Sequence, residues 1–395
     1  MTKKVLFVSP YSLLDSTNGA AISMRMLLAT LSSHGFECRA LTGTFSPAPE
    51  DFGCAVDVSQ QLARHNITRG RTSNVEGFRV LSFDLNGVKV QTFTLDEQMA
   101  SQLALQELAL AAILPVIIGK TKPDLLLASM RVQPMDRIAH VGERFGVPVA
   151  AYLATAKPLD DPAPLKRVRH VFAPSLFLAK YYSEKYGIDC QPLRPIVPIP
   201  SAIEPRQRGG FVTMVNPSPE KGVTLFTALA KRAIDILPDA RFLIVEGRWT
   251  KARLQQNGID VDLPNVTFEA NTVDLTRIYQ MTSVLLHPSY WEEGFGRTIV
   301  EAQGFGVPVL ASRRGGAAEA LNGAGFMFDL PERLTRDFKA SPSDQELQPW
   351  LEQLTTLLTN TETYAAASRA ARHAAQKSFE TNTARAVSLF GSITR

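Results

Sequence analysis

Short apolar runs recur along the chain and alternate with helical stretches, and this alternation constrains the fold more than any other feature of the sequence. In the first half such runs include Val5–Ser9, Asp124–Ser129 and Val147–Leu153, and the second half repeats the pattern from Phe211–Val215 to Pro308–Ala311. Buried parallel strands read as continuous apolar runs, and strands that alternate with helices favour a parallel sheet. The sequence therefore predicts an α/β fold.

The segment from Pro192 to Gly210 interrupts this alternation. It contains five prolines and no sustained hydrophobic period, which is typical of a semi-rigid linker. A chain of 395 residues is long for one hydrophobic core, so roughly two domains are expected. We predict a first domain at 1–195, a linker at 196–210 and a second domain at 211–376.

Two segments of the first domain depart from simple alternation. Phe78–Leu85 and Val88–Leu95 flank Asn86-Gly87, which is a strong β-hairpin signal. Leu103–Ile118 is almost wholly apolar but too short for a confident membrane span, so it predicts a helix that is buried or touches a membrane surface. The apolar run near the N-terminus is too short for a signal-peptide core, and we expect a cytoplasmic protein with peripheral membrane contact left open.

The stretch from Leu285 to Leu321 carries the clearest chemical signal. A strand pattern ends at Pro288, and Gly294-Phe295-Gly296 then leads into a helical pattern that contains Glu301. A glycine loop that opens a helix offers backbone N–H groups to a phosphate, whereas carboxylates such as Glu293 accept hydrogen bonds from hydroxyls. A ligand with both groups, such as a nucleotide sugar, fits this pattern. The alternative is an ordinary strand-loop-helix crossover with surface glutamates.

The spacing of the acidic residues adds a resemblance. Glu293 and Glu301 form E-x7-E, followed by GVPVLAS, Gly315-Gly316 and Glu319. This series resembles the donor-binding signature of the retaining glycosyltransferases of family 4. The resemblance implies the GT-B architecture, in which two Rossmann-like domains face each other across a cleft. It also implies that the first domain binds the acceptor, that the second binds the donor, and that the C-terminal helix at 377–395 crosses back to the first domain.

Lys221-Gly222 at a predicted helix entrance is a second candidate phosphate site, although a solvent-exposed turn lysine is the simpler alternative. The resembled motif commonly has an arginine a few residues earlier. Here Asn216-Pro217 occupies that region, so Arg297 or Arg248 is expected to assist the lysine.

The resemblance assigns roles to these residues. Lys221, Arg297 and the N–H groups after Gly294 are expected to hold the charge of a leaving diphosphate, Glu301 the ribose, and Glu293 hydroxyls of the transferred sugar. Whether Glu293 is a nucleophile stays open. The expected catalytic residues are Glu293, Lys221 and Arg297, and the expected donor-binding residues are Gly19, Ala20, Lys221, Glu293, Gly294, Phe295, Gly296, Arg297, Thr298 and Glu301.

Neither a metal nor a further cofactor is expected beside the nucleotide-sugar co-substrate. Asp260-Val261-Asp262 spells the D-x-D of metal-dependent glycosyltransferases, but it lies in a polar turn, and we interpret it as a chance match. Cys38, Cys54 and Cys190 are scattered and odd in number, which favours free thiols over disulfides or zinc ligands.

The first domain departs from the resembled family at one point. A histidine that often contacts the donor sugar has no counterpart at Ala128-Ser129 or Ala154-Thr155. The small residues Gly19, Ala20 and Ala21 do match the first turn, which in the family approaches the donor phosphates or the acceptor. The donor sugar is therefore left open.

The acceptor is expected to contact the first domain. Lysine and arginine exceed aspartate and glutamate by 42 to 38, and the whole surplus lies in residues 1–200. The candidate acceptor residues are Arg64, Arg69, Arg71, Arg131 and Lys157. An anionic acceptor such as a lipid-linked sugar, a polysaccharide or, less favoured, a nucleic acid fits this bias, and a solvated basic face is the alternative.

Two other functions remain open. One is a nucleotide-sugar epimerase or hydrolase on the same architecture, and the other is a catalytically silent subunit that binds nucleotide sugars. The intact E-x7-E spacing argues against the silent subunit, and the missing histidine and arginine support it.

Overall fold

The computed structural model describes residues 2–46, 54–55, 57–201 and 209–394, and the side chains of Cys54, Ala55 and Glu97 lie outside this description. The chain divides into two compact units, Met1–Ile196 together with Thr381–Arg395, and Val197–Glu380. The boundary at Ile196 lies inside the segment predicted as a linker, of which 202–208 falls outside the described residues.

The first unit contains one sheet of ten strands. These strands are β1 Lys4–Tyr11, β2 Glu37–Ser46, β3 Cys54–Ala55, β4 Arg71–Val75, β5 Phe78–Leu85, β6 Val88–Thr94, β7 Leu125–Ala128, β8 Val149–Tyr152, β9 His170–Ala173 and β10 Cys190–Pro192. Their order is β10-β9-β8-β7-β1-β2-β6-β5-β4, with β3 paired to β2. Strand β1 therefore lies at the point where the direction of winding reverses.

The outer part of this sheet contains the predicted hairpin. Strands β5 and β6 pair antiparallel, and Asn86 and Gly87 between them have φ angles of +53° and +79°. A type I′ turn requires positive φ at both of these positions. The hairpin prediction is confirmed, whereas the edge strand β4, which pairs with β5, was not predicted.

Six α-helices of the first unit cover its sheet. They are α1 Gly19–Ser33, α2 Val58–Arg64, α3 Glu97–Ala100, α4 Leu103–Thr121, α5 Val132–Phe145 and α6 Leu176–Tyr186, and a short 3₁₀ helix spans Ala163–Arg167.

Helix α4 packs against the sheet of the first unit. Within the described residues it is the one helix long and apolar enough to cross a membrane by length and composition, and 44% of its most apolar window is buried. Two of its polar residues, Gln106 and Glu107, are buried as well. Gln106 donates to the hydroxyl of Thr44 at 2.9 Å, and Glu107 forms an ion pair with Arg131. These contacts tie α4 to its own unit.

The second unit contains a sheet of six parallel strands in the order β13-β12-β11-β14-β15-β16. The strands are β11 Phe211–Val215, β12 Phe242–Val245, β13 Val266–Glu269, β14 Thr282–His287, β15 Val309–Ser312 and β16 Phe326–Phe328. The helices are α7 Val223–Ile236, α8 Lys251–Gln256, α9 Thr276–Met281, α10 Arg297–Gly304, α11 Ala317–Leu321, α12 Glu332–Arg336, α13 Asp344–Thr359 and α14 Thr361–Ile393, of which the part from Thr381 onward belongs to the first unit. The helix entrance predicted at Lys221-Gly222 leads into α7.

The core of the second unit lies between this sheet and its helices. Helix α13 begins with a capping box in which Ser343 and Glu346 bond each other's backbone, and it buries Trp350 and Leu354. In sheets of this kind ligands bind beyond the carboxyl ends of the strands. The segments that follow β11, β12, β14 and β15 are therefore the place to look for a site.

Candidate functional site

The loop between β14 and α10 is held against the turn before α7. The N–H of Tyr290 donates to the carbonyl of Glu220 at 2.8 Å, and the hydroxyl of Ser312 donates to the carbonyl of Ser289 at 2.5 Å. At Gly222, which has φ +76°, a Cβ atom would lie 2.0 Å from the carbonyl oxygen of Pro288. Glycine is therefore required for this close approach, and the two candidate phosphate-binding segments are fixed side by side.

Glu293 lies at the centre of this loop and is 5% exposed. Three nitrogen atoms converge on its Oε1: Lys221 Nζ at 2.5 Å, Trp291 Nε1 at 3.3 Å and His287 Nε2 at 3.4 Å. Within the described residues no such contact is made to Oε2. One carboxylate oxygen is thus anchored, and the other is available to accept a hydrogen bond from a ligand.

This environment keeps Glu293 ionised. Burial alone would raise the pKa of its carboxyl group, but the charge of Lys221 and the nearby His287 outweigh burial and hold that pKa well below its usual value. Lys221 also lies 5.5 Å from the centre of the Trp291 ring. Glu293 is therefore a charged acceptor in a largely buried position.

His287 is a site residue that the sequence analysis did not single out. It ends β14, and its Nδ1 lies 3.2 Å from the hydroxyl of Thr298 in α10. Its Nε2 faces Glu293. The histidine was treated only as the end of an apolar strand, and its six-residue spacing from Glu293 gave no recognisable signal.

Gly296 is the N-cap residue of α10, has φ +99° and lies in the left-handed region. The N-cap residue of α7 is also a glycine, Gly222, so neither helix has a side-chain cap from its N-cap residue. Uncapped N–H groups at the positive end of a helix suit an anion. Phe295 is buried in the core, so at that position only the backbone can contact a ligand.

Glu301, on the first turns of α10, is held by two partners. Its Oε2 accepts from the hydroxyl of Tyr279 at 3.0 Å, and its Oε1 pairs with Arg297 at 2.9 Å. Tyr279 is fully buried, and burial raises the pKa of its hydroxyl, so the group stays protonated and donates. Arg297, predicted to assist at a diphosphate, is engaged by Glu301 in this structure.

Further contacts complete the region. Arg314 pairs with Glu292 at 2.8 Å and donates to the carbonyl of Tyr290 at 3.1 Å, neither of which was predicted. The N–H of Gly316 donates to the carbonyl of Glu293 at 2.8 Å, so the predicted Gly315-Gly316 element supports the backbone of the site. The contacts around Glu293 therefore bring together three elements of the predicted motif: the loop Gly294-Phe295-Gly296, the pair Gly315-Gly316, and Lys221.

The remaining second-unit candidates are placed as follows. Asn216 packs against Gly247, where an added Cβ atom would come within 1.9 Å of the Asn216 Oδ1 atom. Arg248 is the next residue in the chain after this contact. Asp262 forms an ion pair with Lys251 at 2.7 Å on the surface. Within the described residues, no group of three or more histidine, cysteine, aspartate or glutamate side chains could hold a metal ion.

In the first unit, the start of α1 is capped by the side chain of its own N-cap residue, Asn18. The side chain of Asn18 accepts from the N–H of Ala20 at 3.0 Å. A cavity of about 20 Å³ lies here at the ends of β1 and β7, lined in part by Ser9 and Ser129. That volume accommodates about one water molecule. Ala20 is among the residues that line this cavity, and Gly19 comes directly before it as the first residue of α1.

The five candidate acceptor residues do not form one cluster. Arg131 is bound through two of its nitrogen atoms by the buried carboxylate of Glu107, with Nε to Oε1 at 2.9 Å. The other four side chains are exposed. They lie at the end of α2, in the loop before β4, at the first residue of β4 and in the loop after β8, and they are Arg64, Arg69, Arg71 and Lys157.

Comparison with solved structures settles the architecture. The chain matches a sucrose-phosphate synthase from Thermosynechococcus elongatus with a TM-score of 0.68 at 13% identity, over 99% of both chains. It matches Anabaena HepE in complex with UDP and glucose with a TM-score of 0.65 at 18% identity, over 99% of this chain and 100% of that one. The chain has the GT-B fold. TarM matches with a TM-score of 0.69 at 10% identity over 99% of both chains.

Sequence comparison points to the same class. Residues 206–340 match the family model described as Glycosyl transferases group 1. A segment of 123 residues is 34% identical to the D-inositol 3-phosphate glycosyltransferase of Corynebacterium urealyticum, covering 30% of this chain. The match spans about a quarter of that relative, 26% of its length. Together with the GT-B fold, these matches support a glycosyltransferase.

Proposed function

We propose that the chain transfers a sugar from a nucleoside diphosphate sugar to an acceptor hydroxyl, with retention of configuration at the anomeric carbon and without a metal ion. The observation that carries this proposal is the state of Glu293: buried, ionised, anchored through one oxygen, and next to two uncapped helix starts. The group 1 family match and the UDP-glucose bound to the structurally similar HepE support the choice of donor class.

Each residue has a role in this proposal. Lys221 and the N–H groups at the start of α10 stabilise the charge that grows on the leaving diphosphate. Glu301, oriented by Tyr279 and Arg297, accepts from the ribose hydroxyls. The free oxygen of Glu293 accepts from a hydroxyl of the transferred sugar.

The proposed reaction proceeds on one face of the sugar. The acceptor oxygen forms a bond to the anomeric carbon on the side from which the diphosphate leaves, as the bond from that carbon to the phosphate oxygen breaks. The acceptor proton passes to the departing phosphate oxygen. Retention follows from attack and departure on the same face, and Glu293 stays a hydrogen-bond acceptor throughout.

The test is a panel of UDP-, GDP- and ADP-sugars, each incubated with the protein alone and with oligosaccharide, glycolipid and polyol acceptors. Transfer requires an acceptor, whereas epimerisation and hydrolysis do not, and a silent subunit binds without turnover. Proton NMR of the first-formed product gives the anomeric configuration. An inverted product refutes retention, and turnover without any acceptor refutes transfer.

A chelator tests the metal-free part of the proposal. Because Lys221 and helix N–H groups carry the diphosphate charge, EDTA is expected to leave the rate unchanged. Loss of activity with rescue by manganese or magnesium overturns this part and directs attention to Asp260 and Asp262, the second of which is paired with Lys251.

A further inference from the structure

A chain of polar contacts runs from α10 through β14 to Glu293. The hydroxyl of Thr298 lies 3.2 Å from His287 Nδ1, and His287 Nε2 lies 3.4 Å from Glu293 Oε1. The side chains of His287 and Glu293 are 10% and 6% exposed. The chain is therefore shielded from water over most of its length, and its geometry is set by the protein.

The contacts define the proton positions. A neutral imidazole has one nitrogen that donates and one that accepts. Glu293 is ionised and can only accept, so the nitrogen that faces it must carry the proton. Nδ1 then accepts, and the hydroxyl of Thr298 donates to it. Thr298 thus selects the tautomer of His287 that can hold Glu293.

The same contacts explain which oxygen of Glu293 is open. Lys221, Trp291 and His287 all approach Oε1, from the turn before α7, from the loop itself and from the end of β14. A carboxylate held from three directions through one oxygen cannot rotate without losing these contacts. Within the described residues, none of these three side chains contacts Oε2.

We infer that His287, oriented by Thr298, is a positioning residue that anchors one oxygen of Glu293 and so presents the other to a hydroxyl of the donor sugar. This inference rests on the proposed function for the identity of the ligand, but the tautomer and the anchoring are properties of the protein alone. The titratable groups that face Glu293 are His287 and Lys221, while the nearby Arg314 is paired with Glu292.

The protein-only part is tested by NMR of the full chain. The sequence has six histidines, and the signal of His287 in long-range proton–nitrogen spectra is assigned by its absence in His287→Phe. We expect Nε2 to be protonated, and a loss of this preference in Thr298→Val but not in Thr298→Ser. A ring that is protonated at Nδ1 and not at Nε2 refutes the inference.

The carboxylate gives a second readout. Burial raises the pKa of Glu293, and His287 is one of the groups that lower it. The pKa of Glu293 should therefore rise in His287→Phe. Carbon-13 titration of glutamate carboxyls, with Glu293 assigned by Glu293→Gln, measures this change. An unchanged Glu293 titration in a folded His287→Phe protein refutes the anchoring.

Turnover links the inference to the reaction. With the best donor of the panel, His287→Phe should lower kcat at least about tenfold while the Kd of the nucleoside diphosphate alone changes less than about threefold. The acid limb of kcat/KM should move to higher pH, and Thr298→Val should behave alike but more mildly. His34→Asn, an exposed histidine of the first unit, is the matched control and should match the parent.

The outcomes separate the two proposals. A parent protein without turnover on any donor refutes the proposed function, whereas the tautomer and the carboxyl titration still decide the anchoring. If His287→Phe lowers only the melting temperature and leaves the pH profile in place, His287 is a packing residue and the inference fails. If His287→Phe does not fold, Thr298→Val carries the same measurements.

Discussion

Each unit of this protein contains a buried glutamate paired with a more exposed cation. In the first unit Arg131 binds both oxygens of Glu107. In the second unit Lys221 and its neighbours bind only one oxygen of Glu293. The first pair is closed, since its carboxylate is saturated within the protein. The second is open, and this difference separates a structural ion pair from a candidate binding group.

The helix starts show the same contrast. Helix α1 has Asn18 as its cap, whereas α10 starts at Gly296 without a side-chain cap. Small residues before an amphipathic helix predicted a ligand contact at both places. The difference depends on one capping side chain, and it teaches that a small-residue turn indicates a phosphate site only when the protein leaves its N–H groups unsatisfied.

The largest expected effect is at the two carboxylates of the candidate site. Glu293→Ala and Glu301→Ala should each lower kcat/KM at least about 10²-fold, because donor hydroxyls lose their acceptor in a buried site; two decades correspond to about 2.7 kcal/mol. Glu293→Gln keeps the shape and should retain donor binding better than turnover. Steady-state kinetics and calorimetric donor titration measure both, and near-parental turnover of Glu301→Ala ends the donor-site assignment.

Gly296→Ala tests the open helix start. A Cβ atom at φ +99° is strained and would lie 2.9 Å from Ile299 Cδ1, so the loop must shift. We expect kcat/KM to fall about tenfold and the free energy of unfolding to fall by about 1 kcal/mol. Asn18→Ala, its counterpart at α1, should cost about 1 kcal/mol of stability with unchanged donor Kd. Equal effects on donor Kd in Gly296→Ala and Asn18→Ala would show that the starts of α10 and α1 do not differ in donor binding.

The closed pair should matter for stability and not for donor binding. Glu107→Gln leaves Arg131 without its charged partner, and since that arginine is 47% exposed, water compensates in part. We expect a loss of about 1–2 kcal/mol in chemical denaturation and a donor Kd within about twofold of the parent. A donor Kd that worsens as much as in Glu301→Ala would show that the first-unit pair also serves binding.

The smallest effect is expected at the exposed arginines. Charge reversal at Arg64, Arg69 and Arg71 together should raise the KM of an anionic acceptor several-fold at low salt and leave donor affinity unchanged. Exposed charges are screened beyond about 8–10 Å at physiological ionic strength, so added salt should narrow the gap to the parent. An acceptor KM that is unchanged across the salt range would show that these three arginines are only solvated surface residues.

Local pattern was enough to predict most of the fold. The hairpin at Asn86-Gly87, helix α7 and strands β11 to β15 of the second sheet follow from turn chemistry and hydrophobic period, both of which are properties of neighbouring residues, whereas the short strand β16 was not predicted. The edge strand β4 was missed because Arg71–Val75 is polar and mostly exposed, and its partner β5 alone defines it as a strand.

The candidate site was predictable only as a motif. The motif spacing identified Lys221, Glu293 and Glu301 as candidates, because loops and helix starts can be recognised from neighbouring residues. His287 and Tyr279 were not found, since each acts through a contact made when separate segments fold together. The ion pair of Arg131 was not found for the same reason, since its partner Glu107 lies 24 residues away on α4.

Helix α14, which runs from Thr361 to Ile393, begins among residues of the second unit and ends among those of the first. Phe390 is fully buried there, 6.4 Å from the ring of Phe172. During synthesis, residues 381–394 leave the ribosome after the whole second unit. The N-terminal unit therefore cannot complete its core first, although domains usually fold in the order of their synthesis. The contact between Phe390 and Phe172 forms only after the second unit has been synthesised.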